Sequence, residues 1–291
     1  MKYAYYPGCS LHSTAKEYDH SLRAVCDRLD IELAEIKNWF CCGSSPAHSV
    51  SRLLASALPL GNLMMMQKMG FREVVIPCLC CFWRFKSALH SVENEPGLRE
   101  DIEWVLRDNW NNDVKVYHPL QLFSEESQLS EISGLVKEKF AGLKVVCYYG
   151  CLLTRPPKIA QFDSCEYPQS MDRLMRALGI ASLDWSYKTD CCGGSFALTR
   201  TDIVLRLCHE VLEAAKSVGA DAIAVACPLC HMNLDARQQE IEKTYGTKYD
   251  LPILYFTQLI GLAFGLPSKE LLLGKHFVDP RRKLEEVHQG A

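Results

Sequence analysis

Ten of the fifteen cysteines fall into two sets of the same form, and this repetition constrains the chain more than any other feature. In the first set, 31 residues separate Cys9 from Cys41-Cys42-Gly43, and 35 separate Cys42 from Cys78-Leu79-Cys80-Cys81. In the second, 39 residues separate Cys151 from Cys191-Cys192-Gly193, and 34 separate Cys192 from Cys227-Pro228-Leu229-Cys230. The surroundings repeat as well. Tyr5-Tyr6-Pro7-Gly8-Cys9 answers Tyr148-Tyr149-Gly150-Cys151, and Val74-Val75-Ile76-Pro77-Cys78 answers Ile223-Ala224-Val225-Ala226-Cys227. A period of this kind means two copies of one structural unit.

Each copy has the same order of elements. A short β-type run, Tyr3 to Tyr6 or Lys144 to Tyr149, ends at a glycine and the first cysteine. A helix follows, with apolar residues at 3.6-like spacing (Leu22, Val25, Cys26, Leu29; Met171, Leu174, Met175, Leu178). A second strand, near Ile31 to Ile36 or Leu183 to Tyr187, leads to the Cys-Cys-Gly turn. The spacing then predicts long helices over Arg52 to Met69 and Thr201 to Val218, closed by Gly70 and Gly219. A third strand, Glu73 to Pro77 or Ala222 to Ala226, delivers the C-x-x-C, and a last one, Val114 to Tyr117 or Ile253 to Phe256, closes each half. Strands alternating with helices predict an α/β chain of two parallel-sheet halves. The expected domains are 1–140 and 141–291, with the boundary in the polar stretch from Ser124 to Gly142 and a tail after Leu266 that has lost the repeat.

Such a sheet explains why distant cysteines would meet. The carboxyl ends of parallel strands lie along one edge, where ligands bind. Gly43, Gly193 and Gly194 allow backbone angles that turn neighbouring cysteines toward one centre. With 48% hydrophobic and 23% charged residues the chain is an ordinary globular one, and a net charge of -3 supplies no overall field for nucleic acid. The uncharged stretches Leu53 to Gln67 and Leu251 to Ser268 are not convincing membrane spans. Met1 to Cys9 shows no secretory h-region, so a cytoplasmic location is expected. Cytosolic thiols stay reduced, and many of them point to metal or catalysis rather than disulfides.

Ligand counting weighs the metal options. Structural zinc takes four ligands and would leave one of five matched thiolates over; an assembly with several irons could use all five. Free redox dithiols at the C-x-x-C turns are a third reading, but they ignore the Cys-Cys-Gly turns. The closely spaced cysteines of a standard ferredoxin domain are absent.

The doubled pattern of Cys9, Cys41-Cys42-Gly43, Cys78-x-x-Cys81 and Cys151, Cys191-Cys192-Gly193, Cys227-x-x-Cys230 resembles the cysteine-rich "CCG" signature of the heterodisulfide reductase B-subunit family. The resemblance extends over Ser170-Met171-Asp172-Arg173-Leu174 and the tail Lys275-His276-Phe277-Val278-Asp279-Pro280. It implies two Rossmann-like halves related by a pseudo-twofold axis, each holding a non-cubane 4Fe-4S cluster on its five cysteines. It also implies reduction of a small disulfide between the clusters. The electrons would come from a ferredoxin-type iron-sulfur partner, the C subunit of such complexes, fed by a bifurcating flavin-containing A subunit. Cysteine-rich repeats of this kind also resemble those of electron-relay subunits in flavin dehydrogenase or quinone-linked systems, without disulfide chemistry. A zinc-stabilised scaffold is a third possibility.

Five cysteines remain. Cys26, Cys147, Cys165 and Cys208 are expected to pack as small apolar groups, and Cys80, inside the first C-x-x-C, is the one for which a functional role is weighed against packing. His12, His48 and His231 lie near the sets as proton donors or as turn histidines bonded to backbone. Arg84, Lys86, Arg155 and Arg200 could pair with an anionic substrate or face solvent. Met64-Met65-Met66 with Met69, and Phe82-Trp83-x-Phe85, read as core; the aromatic group could also wall off a cluster from water.

Overall fold

A computed structural model describes residues 1–44, 47–138, 140 and 142–290, with side chains to residue 287. Eight strands form two parallel four-stranded sheets. In the first half these are β1 (Lys2–Tyr5), β2 (Glu32–Glu35), β3 (Glu73–Val75) and β4 (Lys115–Tyr117), in the order β2-β1-β3-β4. In the second, β5 (Lys144–Tyr148), β6 (Ala181–Leu183), β7 (Ala222–Val225) and β8 (Ile253–Tyr255) run in the order β6-β5-β7-β8. The two halves are similar and the chain is α/β, as the alternation predicts. Of the predicted boundary stretch, positions 139 and 141 lie outside the described residues.

Strand burial follows position in the sheet. The central β7 is buried throughout, while the edge strand β2 is exposed or half-buried along its length. The long helices form over Arg52–Lys68 and Thr201–Ser217, and Gly70 and Gly219 follow them at φ +84° and +75°. One strand falls elsewhere than its pattern predicts. Leu183, Trp185 and Tyr187 alternate like a strand, but β6 ends at Leu183. Trp185 instead folds over the sheet from a loop, its Nε1 donating to Cys147 O at 3.0 Å. Its ring also packs beside Tyr148 of β5, with centroids 6.1 Å apart.

The halves share one hydrophobic core. Helix Lys16–Arg28 packs on helix Phe256–Ala263, where the Tyr18 and Tyr255 rings stack at 4.3 Å and Ser21 Oγ meets Thr257 Oγ1 at 2.7 Å. After Leu266 the tail returns to the second half. The Asp235 carboxylate accepts from Phe277 N and Val278 N (2.8 and 3.0 Å), and His276 meets both His231 and Gln258.

Candidate metal centre

In a sheet ordered β2-β1-β3-β4, the chain leaves β1 toward one side and reaches β3 on the other, so the switch point lies between these two strands. Cys9 follows β1 and Cys78 follows β3, with Cys41-Cys42 arriving from the end of β2. The second half repeats this with β5, β7 and β6. Each set of five cysteines thus assembles at the carboxyl edge of its sheet.

Cys42 Sγ and Cys81 Sγ are 3.0 Å apart, and Cys192 Sγ and Cys230 Sγ are 3.5 Å apart. Both separations exceed the roughly 2.05 Å of a disulfide bond, and all fifteen cysteines are free. Cys78 contacts Cys81, Cys9 lies within electrostatic reach of Cys41, Cys42 and Cys78, Cys151 contacts Cys191, and Cys227 contacts Cys230. Glycine makes this convergence possible. Gly8 and Gly150 have φ of +68° and +72°, and a Cβ there would stand 3.2 Å from Cys81 Sγ and 3.1 Å from Cys230 Sγ. Gly43 and Gly193, also at positive φ, direct their N–H groups to Cys41 Sγ and Cys191 Sγ at 3.4 and 3.3 Å.

These contacts favour thiolates at chosen positions. The Cys151 thiol and the N–H groups of Gly193 and Gly194 bring Cys191 down to about 6. Hydrogen bonds from Cys81 and Cys230 likewise lower Cys42 and Cys192. A close-packed group of five thiols, several of them favoured as thiolates and none bridged, has the donor chemistry of a metal-sulfur centre.

Matched side chains hold each Cys-Cys-Gly turn. Tyr6 OH donates to Phe40 O at 2.8 Å and Tyr148 OH to Asp190 O at 2.6 Å, in each case the carbonyl just before the turn. The two sets approach one another at Cys78 and Cys227. His118, between them, has Nε2 at 3.0 Å from Pro77 O and 3.1 Å from Ala226 O, the carbonyls that precede those cysteines. Its Nδ1 accepts from Leu120 N, so Nε2 carries the proton and donates to both halves. Burial lowers its pKa to about 4. The spacing of the cysteines does not single out His118 or Tyr18. The one available signal is the match of His118-x-x-Gln121 to Tyr255-x-x-Gln258, where each glutamine Oε1 accepts from the backbone three residues earlier.

Cys26, Cys147 and Cys208 are buried outside the sets, and burial raises all three thiols. Cys80 is different, contacting Cys78 and lying within electrostatic reach of Cys227 of the other half. Cys165 and Cys151 line an open, mainly apolar cleft of about 470 Å³, walled by Trp83 from the first half and by Leu152, Arg155, Pro156 and Pro157 from the second. Among the described residues Trp83 Nε1 has no hydrogen-bond partner. Arg155 is paired with Glu166, Arg200 with Asp202, and Lys86 donates to Gln161. His12 meets Glu35 at 3.0 Å, His48 is exposed, and buried His231 lies 3.1 Å from Ile253 O. Met64, Met66, Phe82 and Phe85 are core residues.

Comparison with known proteins places this arrangement. The cysteine-rich CCG domain matches residues 3–86 and again residues 145–235. The 8-methylmenaquinol:fumarate reductase membrane anchor subunit of Wolinella succinogenes is 29% identical over 279 residues, 96% of this chain and 97% of that one. The B subunit of the ferredoxin:CoB-CoM heterodisulfide reductase of Methanosarcina mazei is 24% identical over 294 residues, covering 99% and 97%. A protein of Archaeoglobus profundus, described as like the B subunit of heterodisulfide reductase, is 23% identical over 281 residues, 93% of each chain. Among solved structures, a hypothetical protein from Helicobacter pylori shares the fold with a TM-score of 0.76 at 13% identity; the match covers 96% of this chain and about half (52%) of that one. Among the described residues no helix is long and apolar enough to cross a membrane.

Proposed function

The chain belongs to the cysteine-rich CCG domain family and carries that domain twice, and from this premise we propose that it is the catalytic iron-sulfur subunit of a heterodisulfide-reductase-type complex, reducing a small disulfide to two thiols. The observation that carries the reading is the approach of two complete five-cysteine sets across His118. In this reading Cys9, Cys41, Cys42, Cys78 and Cys81 hold one non-cubane 4Fe-4S cluster, and Cys151, Cys191, Cys192, Cys227 and Cys230 hold the other, in domains 1–140 and 141–291. Each cluster, when bound, supplies one-electron transfer and iron with affinity for sulfur. Cleavage of the disulfide takes up two electrons and two protons and gives two thiols. The electrons come from a ferredoxin-type iron-sulfur C subunit, fed by a flavin-containing A subunit that performs electron bifurcation.

The chain's own residues supply the setting. His118 and the Tyr18–Tyr255 stack fix the distance between the two sets, and Trp83 with Leu152, Pro156 and Pro157 keeps an apolar approach to Cys151. Relatives named for the B subunit of heterodisulfide reductase support this role. A second reading, an electron-relay subunit without disulfide chemistry, is favoured by the likeness to the fumarate reductase subunit. Anaerobic iron and sulfide analysis combined with EPR tests both. About eight irons per chain are expected, with a signal that changes on adding small thiols. No more than one iron per half would end the cluster reading. Full iron loading with complete insensitivity to thiols would favour the relay, and zinc without acid-labile sulfide would exclude both.

A further inference from the structure

Three residues beyond the last cysteine of each set, on the helix that the C-x-x-C opens, the halves carry different groups: Arg84 follows Cys81, and Asn233 follows Cys230. Each acts on the second cysteine of the Cys-Cys-Gly turn in its own half. Asn233 is buried, and its Nδ2 donates to Cys192 O at 3.0 Å and reaches Cys192 Sγ at 3.8 Å. Arg84 lies one helical turn beyond Cys81, whose Sγ is 3.0 Å from Cys42 Sγ, and its guanidinium carbon is 4.9 Å from the Trp83 ring centroid; from there its charge reaches Cys42 and Cys80. Among the described residues it has no carboxylate partner within ion-pair distance. Cys42 and Cys192 are equivalent positions, so one set faces a cation where the other faces a neutral amide.

Resting on the reading that each set holds an iron-sulfur cluster, we propose that Arg84 makes the two centres unequal, so that the one on Cys9, Cys41, Cys42, Cys78 and Cys81 is reduced at the higher potential. Adding one electron makes a centre one charge more negative, and a nearby uncompensated cation stabilises that form. An amide donor to sulfur acts in the same direction, but as a partial dipole rather than a full charge, so the cation has the longer reach. The first electron from a low-potential iron-sulfur donor therefore rests on the first set, and the second set is reduced only by the next. Neither transfer makes or breaks a covalent bond.

EPR-monitored redox titration of the anaerobically prepared protein tests this, with iron content measured in parallel. Two separate one-electron transitions are expected. Arg84→Gln should shift the upper one about tenfold toward the oxidised form, about 59 mV, and leave the lower one in place, while Arg84→Lys restores most of the shift. Arg84→Met, which keeps an unbranched side chain without the charge, serves the same comparison if the Gln variant does not load iron. Coincident transitions in the parent protein, equal shifts of both, or an Arg84→Lys variant that behaves like Arg84→Gln would overturn the proposal. A chain that binds no iron would instead fail the function on which the proposal rests.

Discussion

His118 shows how one residue can tie two halves together. Its Nε2–H is shared between Pro77 O and Ala226 O while Nδ1 accepts from Leu120 N, an arrangement that needs the neutral ring. Burial holds its folded pKa at about 4, against about 6.5 for a free histidine. The neutral form is therefore favoured in the fold, and its stabilisation is complete above about pH 6.5 and fades as pH falls through about 4. Up to roughly 3 kcal/mol is at stake over that window. Urea unfolding of the metal-free protein between pH 7 and pH 4 should show it, and His118→Gln should flatten the profile relative to the parent. A variant with an unchanged slope would remove His118 from this role. The cysteines are readable from spacing alone, but His118 is not, because a single histidine after a strand has no partner in sequence.

At the scale of elements, each Cys-Cys-Gly turn hangs on a tyrosine at the carboxyl end of the first strand of its half, Tyr6 just after β1 and Tyr148 at the end of β5. The supports differ in depth. Phe40 O receives Asn62 Nδ2 at 3.0 Å as well as Tyr6 OH, and Asn62 Oδ1 accepts from Phe40 N. Among the described residues Asp190 O receives only Tyr148 OH. Tyr148→Phe should therefore lower stability by about 1–1.5 kcal/mol, the loss of the Tyr148–Asp190 hydrogen bond, and Tyr6→Phe, whose acceptor keeps Asn62, by about 0.5 kcal/mol. Midpoints of denaturant unfolding measure both; equal losses would refute the difference in support. Most elements are legible in the sequence, since parallel strands and long amphipathic helices write strong periodicities. The exception, β6, lies where tertiary contact outweighs pattern: the alternation through Trp185 serves a loop that covers the sheet.

In the whole molecule the halves are two sheets with one core, so they should unfold together. Tyr18→Ala removes a buried ring from the Tyr255 stack and should cost about 3–5 kcal/mol. Far-UV circular dichroism and tryptophan fluorescence, which reports four tryptophans of the first half and Trp185 of the second, should still report a single shared midpoint at lower denaturant. Separate midpoints would mean that the halves are independent. The sequence by itself determined the duplication, the α/β class and which ten cysteines are equivalent, because spacing and periodicity are local properties of the chain. Only the tertiary structure decided that the sets approach at Cys78 and Cys227, that Cys80 touches Cys78 within electrostatic reach of Cys227, and that Arg84 and Asn233 occupy equivalent posts. These depend on residues as far apart in sequence as Tyr18 and Ala226, and packing of the shared core is what brings them together.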